Sequence, residues 1–110
     1  MDAEDVYVDV AKVRDYLLSS THPVGRFKAS FFFRLGYLPE EWQILAADLR
    51  AIPAAGVTSR TISGRHGVKH IVSGTLTGPN GVVAEVTTVW IVRHGDTVLR
   101  LVTAYPGAEG

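Results

Sequence analysis

Cysteine is absent from these 110 residues, which excludes disulfides and thiolate metal sites and permits a reducing compartment. A charge imbalance is absent as well. Eleven basic and eleven acidic residues cancel to a formal net charge of +0. Nucleic-acid binding therefore has no overall basic excess behind it and would need a local patch. No apolar run approaches the roughly 18 residues of a membrane span, and no membrane partner is expected. Met1-Asp2-Ala3-Glu4-Asp5 is acidic where a secretory signal begins basic and then turns apolar. The expected location is cytoplasmic, although a domain carried within a longer exported chain would read the same way.

Several chemical motifs are missing too. His66 and His94 lie in turns; His66 and His70 are four residues apart, but one is in a turn and the other in a strand rather than on one helix face, and no carboxylate spacing accompanies them. Gly64-Arg65-His66-Gly67 and Gly78-Pro79-Asn80-Gly81 lack the strand-to-helix setting of a phosphate loop. No nucleophile-elbow pattern occurs. Neither a metal nor a cofactor is expected.

What is present reads as a globular chain: hydrophobic residues make up 46% and charged residues 20%, a balance that argues against disorder. The length suits one domain, with a core over about residues 9–106. Asp9 is placed to cap a helix running to about Leu18, with Val10, Val13 and Leu17 on one face. After the breaker His22-Pro23, a second helix is predicted from about Gly25 to Leu35, with Phe27, Phe31 and Leu35 on a stripe and Phe32 beside it. A third starts near Pro39, with Trp42, Leu45, Ala46, Leu49 and Ile52 at helical spacing until Pro53. Beyond Gly56 valine and threonine become dense, and four strands are predicted near 57–63, 68–77, 82–93 and 97–105. The expected class is α+β, with about three N-terminal helices packed on a four-stranded antiparallel C-terminal sheet.

A two-residue loop at Pro79-Asn80 would set Thr77 opposite Val82 and place His70, Val72, Leu76, Glu85, Thr87 and Val89 on one face. A three-residue turn at His94-Gly95-Asp96 would add Leu99, Leu101, Thr103 and Tyr105. Glu85, Thr87, Thr103 and Tyr105 then cluster, either to orient a substrate or to satisfy one another at the edge of the core. The segment His22-Pro23-Val24-Gly25-Arg26-Phe27-Lys28 brings three basic side chains to a helix entrance. Unpaired N–H groups and the positive dipole end favour an anion such as phosphate there. His22 can exchange a proton near neutral pH, and Arg26 and Lys28 can hold negative charge. The other reading is a turn at His22-Pro23 with Arg26 and Lys28 solvated. Trp42 and Trp90 read as packing residues, with a base-stacking role for Trp90 beside Lys69 as the alternative.

Two stretches carry a resemblance. One is His22-Pro23-Val24-Gly25-Arg26-Phe27-Lys28-Ala29 with Phe32, Leu35, Gly36 and Tyr37. The other is Leu76-Thr77-Gly78-Pro79-Asn80-Gly81, continuing through Val86–Ile91 to Leu101-Val102-Thr103-Ala104-Tyr105-Pro106. Together they resemble a family of small bacterial domains of unknown function, found alone and at the ends of longer toxin-like or adhesin-like proteins. More loosely, helices followed by an antiparallel sheet are similar to the metal-independent ribonuclease toxins that include barnase and the colicin-type tRNases. That similarity implies RNA as substrate, His22 as general acid or base, and Arg26 and Lys28 on the scissile phosphate. Thr87, Thr103 and Tyr105 become hydroxyl donors. His22, Thr87 and Tyr105 are thus the catalytic candidates, and Arg26, Lys28 and Thr103 the substrate-binding ones. The alternative is a non-catalytic interaction module that binds a protein partner or pairs with itself as a homodimer through an open sheet edge. A third reading, an antitoxin or immunity protein, also requires a protein partner.

Overall fold

The computed structural model describes residues 5–108. In chain order the elements are β1 (Val6–Tyr7), α1 (Val10–Lys12), a π-helical turn (Val13–Leu17) and α2 (Arg26–Arg34). A 3-10 turn (Pro39–Glu41) then leads into α3 (Trp42–Arg50), followed by α4 (Ile52–Ala55). The strands β2 (Val57–Gly64), β3 (Gly67–Thr77), β4 (Val83–Arg93) and β5 (Leu99–Pro106) complete the chain. The chain is α+β overall, but the expected four-stranded antiparallel sheet is corrected. The sheet has five strands in the order β1-β5-β4-β3-β2, and β1 runs parallel to β5 through Val6↔Leu99 and Tyr7↔Arg100. A two-residue strand carries no alternation to read, and its partner lies at the far end of the chain.

Asp9 caps α1, its carboxylate accepting from Ala11 N at 2.9 Å. The helix then widens: Leu18 N donates to Val13 O at 2.8 Å, an i→i+5 bond. Val13, Leu17 and Leu18 are all wholly buried, and the π turn carries the chain onto the core without a break. There they meet Phe32, Leu35, Leu45, Leu49, Val72, Leu76, Trp90 and Leu101 in one apolar cluster. The expected stripe on α2 is shifted. Ala29, Phe31 and Phe32 are buried, whereas Phe27 is 73% exposed.

The β3–β4 turn sets the sheet's register and holds α2. Gly78 N donates to Val82 O, so the loop is the three residues Pro79-Asn80-Gly81, with Gly81 at φ +85°. That is one residue longer than expected, and a one-residue change moves every side chain to the other face. Thr77 pairs with Val83 and Val72 with Thr88. Thr88 and Trp90 therefore face the helices. Both are wholly buried, and Trp90 Nε1 donates to Thr88 Oγ1 at 2.7 Å. The stacking alternative for Trp90 is thereby overturned. The same turn docks on the end of α2, where Asn80 Nδ2 donates to Arg34 O at 2.8 Å and satisfies one of the helix's last carbonyls.

Tyr37 is almost wholly buried, and its hydroxyl donates to Asp48 Oδ2 at 2.6 Å. Burial first, then the hydrogen bond and charge of Asp48, push its pKa well above the ordinary 10.0. A folded-state pKa raised above the unfolded value contributes stability that is full below the unfolded value and lost as pH rises past it. Urea unfolding followed against pH is expected to show a loss of stability beginning near pH ~10. The loss is expected to be smaller in Tyr37→Phe.

Candidate functional site

The π turn and the start of α2 are held against each other by a glycine. A Cβ on Gly25 would overlap the carbonyl oxygen of Tyr16, so only glycine lets α2 begin this close to the first helix. The loop entering α2 is tied by its own side chains. Ser19 Oγ accepts from Thr21 N at 3.3 Å and His22 N at 3.1 Å, and His22 Nδ1 accepts from Val24 N and Gly25 N, both at 3.0 Å. A ring that accepts twice through Nδ1 carries its proton on Nε2 when neutral, so Nε2–H is the group left to meet a ligand.

Lys28, in the first turn of α2, reaches back to this junction. Its ammonium donates to Tyr16 Oη at 2.6 Å and to Thr103 Oγ1 at 2.9 Å, and the two hydroxyls are 3.1 Å apart. Thr103 comes from β5, beside a bulge where Trp90 pairs with Leu101 and Val89 with Thr103, leaving Val102 unpaired in register. Bulges of this kind re-aim side chains, and here the bulge lies next to a hydroxyl that serves helices and sheet at once. His22 stands edge-on to the Tyr16 ring at 5.0 Å, and Lys12 Nζ lies 6.0 Å from the same ring. Burial works against ionising Tyr16. The hydrogen bonds of Lys28 and Thr103 and the charges of Lys28 and Lys12 outweigh it, and the phenol's pKa falls below the ordinary 10.0. Lys12, Tyr16, His22, Val24, Val102 and Thr103 line a cavity of about 500 Å³, and Lys28 reaches its edge through its bonds to Tyr16 and Thr103.

The six candidates from the sequence do not all converge. His22, Lys28 and Thr103 meet around Tyr16. Arg26 lies outside the cluster, exposed, with its guanidinium 4.8 Å over the Phe27 ring. Thr87 is wholly buried and donates to Gly107 O at 2.7 Å, with Ser73 Oγ at 3.2 Å. Tyr105 is its register partner and is not among the residues that line the cavity. Glu85, Thr87, Thr103 and Tyr105 share a sheet face, as the pairs Thr87↔Tyr105 and Val89↔Thr103 require, and of the four Thr103 is the one that lines the cavity with His22. Tyr16 is the residue that sequence reading missed. The available signal was a phenol next to the apolar stripe of Val13 and Leu17, where a half-buried hydroxyl needs a partner.

A second cavity of about 540 Å³, between α4 and the β2–β3 side of the sheet, is lined by Asp48, Glu85, Ser59, Ser73 and Thr75 with no basic residue. It repels a polyanion. Among the described residues no group of His, Asp or Glu is arranged to hold a metal ion, and no helix is long and apolar enough to cross a membrane.

Among solved structures, a chain of the contact-dependent growth inhibition toxin–immunity protein complex from Klebsiella pneumoniae 342 is similar. The TM-score is 0.71 and the identity 22%, over 91% of this chain and 98% of that one, a likeness of fold. Comparison with curated proteins gives no match. The family model for the domain of unknown function DUF6883 matches residues 1–108, and the chain belongs to that family.

Proposed function

We propose that this chain is a toxin-related domain that cleaves RNA without a metal, in the cavity beside α2. The observation that carries the proposal is the ammonium of Lys28 bound to both Tyr16 Oη and Thr103 Oγ1, with His22 alongside. A toxin–immunity complex as a fold relative supports a toxin-related role and a protein partner. In the proposed reaction the 2′-oxygen of RNA bonds to its own phosphorus and the P–O5′ bond breaks, leaving a 2′,3′-cyclic phosphate. Tyr16, its ionised form favoured by Lys28, takes the 2′-hydroxyl proton. Lys28 and Thr103 hold the charge that grows on the phosphate oxygens. His22 donates a hydrogen bond to the phosphate through Nε2–H while Nδ1 clasps the loop. Arg26 meets a flanking phosphate, and water protonates the leaving O5′.

The pH profile reports the proposed base. The rising limb of kcat/KM is expected below pH ~10, the ordinary tyrosine range. Removing a positive charge raises the pKa of Tyr16, so Lys12→Met is expected to move that limb upward with little change in the plateau. In a bacterium, induced wild type is expected to arrest growth and degrade total RNA, and Tyr16→Phe to do neither. Normal growth and intact RNA with folded wild type would favour the alternative, an interaction module built on the open sheet edge.

A further inference from the structure

The neutral total charge conceals an uneven distribution. Residues 57–84 contain no Asp or Glu, yet they hold Arg60, Arg65, His66, Lys69 and His70. The β2–β3 turn gathers this charge at one end of the sheet. Gly67 pairs with Arg93 and His94 Nε2 lies 3.1 Å from Gly64 O, which sets Arg93 and His94 beside exposed Arg65 and His66. Asp96, in the adjacent turn, is already committed: its carboxylate accepts from Thr97 N and Val98 N and faces Arg100 at 3.5 Å.

The same segment forms an open edge of the sheet. β2 stands last in the strand order, all eight of its residues are exposed, and the exposed apolar Val57 and Ile62 lie along it. A bulge leaves Ser59 out of register, with Arg60–Gly64 regular beyond it. Proteins shield such edges with helices, loops, brevity, charged side chains or bulges; β2 has a bulge at Ser59 and a charge at Arg60, and its residues beyond them are exposed. Among the described residues no further strand pairs with β2.

The geometry points to an acidic protein segment that adds to β2 as a further strand, its backbone pairing with Arg60–Gly64 and its carboxylates meeting Arg65 and Lys69. A second copy of this chain fits less well, because two β2 strands side by side would oppose like charges. RNA fits less well too. Its phosphates would use the charges but not the open backbone, and residues 57–84 carry no Phe, Tyr or Trp for bases to stack on. This interface rests on the sheet edge and its charge and is independent of the cavity beside α2.

The test selects binders from a random-peptide library on the intact protein and maps them by amide hydrogen exchange. The expected winners are net acidic with alternating β-formers, and they protect amides within 57–64. Arg65→Glu/Lys69→Glu is expected to weaken them more than about tenfold, with an equal loss on adding salt to wild type. Circular dichroism and thermal melting check that this variant stays folded. The proposal is overturned if enriched peptides show no acidic bias or protect other segments, or if none is enriched. It is equally overturned if protection of β2 appears without peptide and grows with protein concentration, the mark of self-pairing. Shifts of Arg65 and Lys69 with an RNA duplex but with no selected peptide would assign the patch to RNA instead.

Discussion

A Lys28→Met protein is expected to fold like wild type and to cleave RNA about 10²–10³-fold more slowly, the cost of removing one donor aimed at developing charge. The fold should survive because the hydroxyls of Tyr16 and Thr103 still lie 3.1 Å apart and can bond each other. Catalysis should not, because the ammonium both favours the ionised form of Tyr16 and meets the phosphate. Arg26→Met is the comparison. Its guanidinium rests on an exposed ring outside the cluster, and its loss is expected to cost a few-fold at most, read as KM. Equal rates for wild type and Lys28→Met in single-turnover cleavage would remove Lys28 from the chemistry.

Gly25→Ala is expected to give the largest effect from the smallest change. The backbone at Gly25 is ordinary, φ −60° and ψ −29°, so alanine meets no conformational strain there. The cost is steric, because the added methyl collides with the Tyr16 carbonyl and backbone cannot step aside as a side-chain tip can. Overpacking of this kind costs about 1–3 kcal/mol, or a drop in Tm of roughly 4–8 °C per kcal/mol for a domain near this size. Moving the start of α2 also carries Lys28 away from Tyr16, so activity should fall further than stability. Thermal melting and RNA cleavage on the same preparation separate the two. An unchanged melting temperature would mean that the helices shift freely and that the contact is slack.

The sequence carried the helical regions, the change to valine- and threonine-rich strands after Gly56, and the turn around Pro79-Asn80. Local composition announces each of these. It did not carry β1, whose two residues become a strand only because β5 lies alongside. Loop length at Pro79-Asn80-Gly81 was equally hidden. The turn residues fit loops of two or three, and the difference decides whether Thr87 or Thr88 faces the helices. Half of the candidate residues fell together, since His22, Lys28 and Thr103 surround one phenol. Tyr16 showed only as a phenol beside an apolar stripe; its partners were illegible, because it is brought to Lys28 by a glycine contact and to Thr103 beside a bulge in β5. Neither leaves a pattern in a linear chain.

The most direct test is cleavage of total RNA by the purified protein in excess EDTA, comparing wild type with Tyr16→Phe and identifying the new RNA ends. Wild type is expected to cleave at full rate and leave 2′,3′-cyclic phosphates, while Tyr16→Phe remains folded and inert. Intact RNA with folded wild type, or equal cleavage by the two proteins, would contradict a metal-free ribonuclease centred on Tyr16 and Lys28.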